Sequence, residues 1–227
     1  MTVLVINHNG NLAHRDDYSA MNKLDLAKEY KAYYTAKTKP ELVHIEAAQY
    51  ISICGKGDPS GQPFSDNIEA LYSTAYTLKF AFKAKDKDFV VAKLEGLWWF
   101  DEVRYKSNTI VNIPVEVPRS EWEYRLLIRL PEFVTTIDLD QAIETIVVKK
   151  NLQLARQLEF YTMNEGKCVQ MLHIGPFSTE PETLREILSF SKMNNLLKNG
   201  HHHEIYLSDF RKTESLKLKT IIREPVK

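Results

Sequence analysis

A glutamate in the middle of an apolar strand pattern is the least comfortable residue in this chain. It occurs twice, at Glu95 in Leu94-Glu95-Gly96-Leu97-Trp98-Trp99 and at Glu204 in His203-Glu204-Ile205-Tyr206. Such a carboxylate is costly unless it is paired, hydrogen-bonded or functional. Side chains alternate along a strand, so Glu204 and Tyr206 share one face. A carboxyl desolvated among aromatics has a raised pKa, which suits a general acid or base, or an anchor for a cation. A neighbouring Arg or Lys would satisfy the same pattern, and the residues alone leave both readings open. By the same alternation Glu95 shares a face with Leu97 and Trp99 and leaves Trp98 on the other. Parity does not say which tryptophan meets a ligand. Trp122 and Tyr124 alternate with Glu123 and Arg125, so one face of that strand is strongly aromatic. Aromatics with polar tips suit a ligand cleft as well as a core.

The other reactive types carry weaker signals. His201, His202 and His203 are consecutive, and on a strand they point to alternate faces, which spoils three-ligand metal geometry. No metal site or cofactor is expected. His173, just before Gly175-Pro176, is a better polar candidate near a cleft, with a satisfied core histidine as the other reading. Gly55-x-Gly57 lacks the third glycine and the Lys-Ser/Thr pair of a phosphate loop. Cys54 and Cys168 have no His-Asp arrangement to activate them and read as buried free thiols.

The elements that must position these residues follow from periodicity. Glu41–Cys54 reads as a strand running into the turn cluster Gly55-Lys56-Gly57-Asp58-Pro59. Ser65 is placed to cap a helix whose stripe is Ile68, Leu71, Tyr72, Ala75, Leu78 and Phe82. Phe89–Trp99 and Trp122–Leu130 read as two strands joined by a polar connection over 101–120, and Asp138–Lys150 as a helix. The second half repeats the order. Cys168–Ile174 is a strand, and Thr179 and Glu182 have capping-box spacing ahead of Leu184, Ile187, Leu188 and Ser191. His201–Ser208 and Leu216–Arg223 supply the closing pair. Leu127-Ile128-Arg129-Leu130-Pro131 is echoed by Ile221-Ile222-Arg223-Glu224-Pro225, and Leu94-Glu95-Gly96-Leu97 by His203-Glu204-Ile205-Tyr206. The pattern predicts an α+β fold of duplicated strand–helix–strand–strand units, at about 41–131 and 156–226. Two similar sheets side by side would then leave a cleft at a pseudo-twofold axis.

Composition bounds the partners. The chain has 227 residues, with 30 Lys+Arg against 30 Asp+Glu. That balance lacks the basic excess a general nucleic-acid binder uses to neutralise phosphates. No apolar run approaches the roughly 20 residues that span a bilayer. Two cysteines form no disulfide framework and point to a reducing cytoplasm. Residues 1–20 lack the features of a secretory signal, and the texture changes at Met21. They read as an extension ahead of one domain over 21–227, with an extra edge strand as the other reading. A monomer or weak homodimer is expected.

Three strings together resemble the GyrI-like small-molecule-binding proteins: His173-Ile174-Gly175-Pro176-Phe177, Thr179-Glu180-Pro181-Glu182-Thr183, and His202-His203-Glu204-Ile205-Tyr206-Leu207-Ser208-Asp209. Gly55-Lys56-Gly57-Asp58-Pro59, Leu71-Tyr72, the Leu94–Trp99 string and the two Ile-Arg-x-Pro echoes fit the stand-alone branch of that family. The resemblance spans about residues 21–227. It implies a duplicated βαββ fold, of the type called SHS2, and a central cleft for hydrophobic, often cationic or planar compounds. Similar domains sense drugs in transcription factors, but this chain has no room for a helix-turn-helix.

The stand-alone branch is also similar to cyclopropanoid cyclopropyl hydrolases, which open the strained ring of DNA-alkylating compounds within an aromatic cage. The resemblance makes Glu204 the central glutamate with Tyr206 beside it. It puts Trp98, Trp99, Trp122 and Tyr72 in the cage, with Glu95, His173 and Phe177 as further ligand contacts. Phe177 stands where Tyr is common and Phe210 where Pro is usual. The mechanism it implies has Glu204 deprotonating water for attack on the cyclopropane, while Tyr206 donates to the dienone oxygen. Non-catalytic sequestration of the ligand and inhibition of a protein partner are the alternatives.

Overall fold

The computed structural model describes residues 23–105 and 116–227. The expectations for residues 1–20 and for half of the 101–120 connection, residues 106–115, fall outside them. A short helix α1 (Leu26–Glu29) is followed by β1 (Glu41–Ile45), β2 (Ala48–Lys56), α2 (Gln62–Lys83), β3 (Leu94–Trp99) and β4 (Glu123–Arg129). Then come α3 (Thr136–Lys150), β5 (Glu159–Met163), β6 (Gly166–Ile174), α4 (Glu180–Met193), β7 (His202–Tyr206) and β8 (Lys219–Pro225). The two expected sheets are one: the strands pair in the order β1-β6-β8-β7-β3-β4-β2-β5. Exchanging first-half strands for second-half strands and reversing the direction returns the same order. The pseudo-twofold axis therefore passes through the antiparallel β3–β7 pair, where Gly96 lies opposite Glu204.

Two of the expected elements are built differently. Glu41–Cys54 is two strands, because Glu46-Ala47 turns the chain between β1 and β2. β1 then pairs with β6 of the other half, and β5 pairs in return with β2. Each repeat thus lends its first strand to its twin. The links β1–β2 and β5–β6 are two residues long yet join strands at opposite ends of the strand order. Two residues reach only about 7 Å, so the sheet must curl until its edges approach. Leu94 rather than Phe89 opens β3, and Lys219 rather than Leu216 opens β8.

The caps also move. Pro63 sits in the first turn of α2, where its missing N–H is harmless, and Gly61 rather than Ser65 is the N-cap. Thr179 makes no capping bond to α4; its hydroxyl donates to the Pro176 carbonyl at 2.8 Å. The capping box of this protein is instead Thr135 with Asp138, at the start of α3. Cys168 is buried as expected, whereas Cys54 is exposed.

The two sheet faces have different chemistry. On one, α2 and α3 cover β2 and β4 through Ile51, Ile53, Leu126, Ile128, Ile68, Leu71 and Ile143. On the same face α4 covers β6 and β8 through Val169, Met171, Ile222, Leu184 and Ile187. The central β3–β7 pair lies between the helices. The other face is the inside of the curl. There, side chains from six strands converge under Tyr33, which follows α1.

The interior is polar and extensively hydrogen-bonded, although Glu95 Oε1 and the Tyr34 hydroxyl have no partner among the described residues. Tyr33 donates to Glu95 Oε2 at 2.5 Å and shares a 2.9 Å bond with the Tyr50 hydroxyl. His203 bridges Glu95 at 3.1 Å and Glu165 at 2.9 Å. Arg223 donates to Glu165, to Gln170 and to the Tyr33 carbonyl. The two Ile-Arg-x-Pro echoes acquire a structural meaning here. Arg129 and Arg223, one from each repeat, lie over the same Tyr33 ring at 4.9 and 4.4 Å. Burial alone lowers the His203 imidazole, but Glu165 and Glu95 on its two nitrogens outweigh it and raise it to about 9.

That shift has a measurable sign. A folded-state value of about 9 lies above the ordinary 6.5 of an unfolded histidine. The stabilisation from charged His203 is therefore complete below about 6.5 and lost as pH rises through about 9. Melting temperatures across this range should fall in the wild type, with a shallower fall in His203→Gln. Parallel curves for the two proteins would remove His203 as the titrating group.

Candidate functional site

The β3–β7 pair presents Gly96 and Trp98 from one strand, and His202, Glu204 and Tyr206 from the other, to the face between the helices. Gly96 is required by close approach. A Cβ there would sit 2.8 Å from Trp98 Nε1 and 3.1 Å from the Tyr206 hydroxyl. In that space a chain of hydrogen bonds runs across the strands. Trp98 Nε1 donates to the Tyr206 hydroxyl at 3.2 Å, and Tyr206 donates to Glu204 Oε2 at 2.6 Å. Glu204 Oε1 lies 3.1 Å from His202 Nε2, and the other ring nitrogen lies 2.5 Å from Glu224 on β8.

Electrostatics fixes the protonation of this chain. Burial opposes charge on His202, but Glu224 and Glu204 overcome it and raise the imidazole well above its usual value. An imidazolium donates from both nitrogens, which matches its two carboxylate contacts. Burial, then the neighbouring Glu204 charge, push the Tyr206 phenol well above its usual value, so it stays a donor. Among the described residues the ion-pair partner of Glu204 is this histidine, not the Lys or Arg that sequence allowed.

Glu180, the first residue of α4, completes the acidic group. It is only 9% exposed, and its Oε1 is buried with no hydrogen-bond partner among the described residues. Burial first, and the Glu204 charge second, raise this carboxyl well above the ordinary range. The site thus holds one carboxylate satisfied by donors and one carboxyl kept as the neutral acid.

Aromatic rings wall the site. Phe64 of α2 stacks on Trp98 at 5.8 Å and 25°, with Tyr124 at 5.4 Å and Trp122 at 5.9 Å from the same indole. On the far side Phe177 and Phe210 meet the Tyr206 ring edge-on at 6.0 and 5.7 Å. Tyr72, Tyr206, Phe210 and Arg211 line a pocket of about 80 Å³. Ligand pockets usually enclose about 300–1,000 Å³; this one is smaller and adjoins the rings of Trp98, Phe64 and Trp122, which pack on one another. Phe210 lines this pocket, and Phe177, 37% exposed, packs against it at 6.0 Å.

The structure therefore brings together Glu204, Tyr206, Trp98, Trp122, Tyr72 and Phe177 among the residues singled out from sequence. It does not bring in Glu95 or Trp99. Both point to the opposite face, Glu95 into the interior network and Trp99 onto Glu123 at 3.0 Å and the His201 ring at 4.7 Å. Glu95 and Glu204 are consequently not equivalent positions of the two repeats, because it is Gly96 that pairs with Glu204. His173 is also structural. Its Nε2 bonds the Pro176 carbonyl at 3.1 Å and its Nδ1 the Thr183 hydroxyl at 2.9 Å, fastening α4 to β6. Glu180, Glu224, Phe64 and the bridging role of His202 were not foreseen. Glu180 lies in the Thr179–Thr183 segment, but its burial beside Glu204 of β7 is a tertiary contact that no local signal reports.

Comparison with known proteins agrees with this architecture. Residues 38–227 match the GyrI-like small molecule binding domain family. A crystal structure of an uncharacterized conserved protein from Listeria innocua is 36% identical, with a TM-score of 0.81 over 90% of this chain and all of the other. A hydrolase from Listeria innocua is likewise 36% identical, with a TM-score of 0.78 over 90% of this chain and all of the other. The C-terminal domain of EcmrR shares the fold at 13% identity, with a TM-score of 0.51 over 83% of this chain and 97% of that one. No curated protein sequence matches the chain. With five-sixths of its length matched, and with the helix-flanked cleft over a duplicated sheet, the chain belongs to the GyrI-like small-molecule-binding family.

Proposed function

We propose that the cleft over β3 and β7 binds planar hydrophobic compounds and hydrolyses a strained electrophile among them, in the manner of a cyclopropanoid cyclopropyl hydrolase. One observation carries this reading. A glutamate only 9% exposed stands in an aromatic cage with both oxygens oriented by donors, and no Lys or Arg among the described residues neutralises it. The Listeria innocua relatives described as hydrolases support it from outside the chain.

On this reading each residue has a role that the geometry supports. Trp98, Phe64 and Trp122 give a flat ligand stacking surfaces, which orient it and exclude water from one side. Glu204 has a lone pair left on each oxygen after accepting from His202 and Tyr206, and one of these accepts a proton from the attacking water. The oxygen of that water bonds to the cyclopropane methylene as the strained carbon–carbon bond breaks. Its electron pair moves into the conjugated ring, and the charge arrives on the carbonyl oxygen. Tyr206 fits a positioning role better than the donor role drawn from sequence, because its proton is directed to Glu204. General-base catalysis is typically worth about 10² to 10⁴ in rate.

Glu204→Gln keeps the size of the side chain but removes the base. Turnover of a strained cyclopropane substrate should fall by about 10² or more, while unfolding stays cooperative because Glu224 still pairs with His202. Full turnover in the variant would exclude Glu204 as base, and binding without turnover in the wild type would leave a sequestering protein.

The two adjacent tryptophans offer a separate check, because they lie on opposite faces. A planar aromatic ligand should quench indole emission in the wild type and in Trp99→Phe. Most of that quenching should vanish in the Trp98→Phe/Trp122→Phe double variant. Quenching that depends on Trp99 alone would move the ligand to the other face.

A further inference from the structure

We propose that Glu180 is the hydrogen-bond and proton donor of the cleft, recognising the carbonyl oxygen of a planar ligand. The inference rests on the binding site proposed above and names what that site selects. Every other polar side chain in the acidic group is already engaged. Glu204 accepts from Tyr206 and His202, His202 spans Glu204 and Glu224, and the Tyr206 proton goes to Glu204. Within this group Glu180 alone has a buried oxygen with no partner among the described residues.

The charges around Glu180 keep it a donor. From β7 it meets the negative Glu204 and the positive His202, with neutral Tyr206 beside them, while Glu224 on β8 is held by His202. The imidazolium draws Glu180 towards ionisation, but burial and Glu204 outweigh it. A neutral carboxylic acid in a dry site is a strong donor to a carbonyl, and burying that donor against a ligand that offers no acceptor is penalised. A flat ketone or dienone is therefore favoured over the same ring system without its oxygen.

In the hydrolytic reaction the same proton has a destination. When the carbon–carbon bond breaks, its electron pair reaches the dienone oxygen, which takes the proton of Glu180. Glu204 has meanwhile taken the proton of the attacking water. Water is added across the broken bond, and the two carboxyls return to their starting states by transfer of one proton from Glu204 to Glu180. No oxidant or reductant is needed.

Fluorenone and fluorene test the assignment without requiring turnover, because they differ only at the carbonyl. The wild type should bind fluorenone about tenfold more tightly, the worth of one good hydrogen bond. That preference should disappear as pH rises and Glu180 ionises. Glu180→Leu should bind the two probes equally, and Glu180→Gln, which keeps a donor, should retain a preference that no longer changes with pH. With a cyclopropane-fused dienone as substrate, Glu180→Gln should be about 10² slower and lose the alkaline limb of the pH–rate profile. Equal binding of the two probes by the wild type, or a preference that survives Glu180→Leu, overturns the donor role alone. Failure of the wild type to bind either probe overturns the cleft reading and the donor role with it. Absence of turnover with the fluorenone preference intact overturns only the hydrolytic reading.

Discussion

Everything in this fold is organised by the antiparallel pairing of β3 with β7, and within that pair by a glycine facing a glutamate. Gly96 leaves the space in which the Trp98 indole, the Tyr206 phenol and the Glu204 carboxylate meet. A side chain at Gly96 would occupy the centre of the hydrogen-bond chain. The pseudo-twofold axis passes through the same pair, so the place where the two repeats join is also where neither repeat's helices cover the sheet. A duplicated fold of this kind obtains its cleft from its own symmetry.

The strand β7 separates two polar systems that share a backbone. His203 faces inward, and with Glu95, Glu165 and Arg223 it forms a nearly charge-balanced network under Tyr33. Glu204 faces outward, where His202 offsets only part of the charge of Glu204 and Glu224. Buried charges that balance and find donors fix a structure without inviting a ligand. The acidic group around Glu204 lacks that balance, since one imidazolium faces two carboxylates. The two cases differ by the parity of adjacent residues.

Much of this was legible in the sequence. The strand–helix–strand–strand order and its repetition follow from periodicity, and the Ile-Arg-x-Pro echoes marked β4 and β8 correctly. What escaped was long-range. The exchange of β1 and β5 between halves was hidden because Glu46-Ala47 carries no Gly or Pro to signal a turn. The choice between Trp98 and Trp99 depends on which sheet face the helices cover, a tertiary fact. The echo of Glu95 with Glu204 was out of register by one residue, and in a strand one residue is the difference between the inside and the cleft. Glu180 was visible as a residue but not as a buried acid, since Glu204, its neighbour in space, is distant in sequence.

The measurement that bears most directly on this account is the affinity of Gly96→Ala for a planar aromatic probe such as fluorenone, taken together with its melting curve. The added methyl group collides with Trp98 Nε1 and the Tyr206 hydroxyl rather than with backbone. The account expects cooperative unfolding to persist while affinity falls about tenfold or more, the equivalent of about 1.4 kcal/mol. Wild-type affinity in a folded Gly96→Ala protein would contradict it and place the ligand away from the β3–β7 pair.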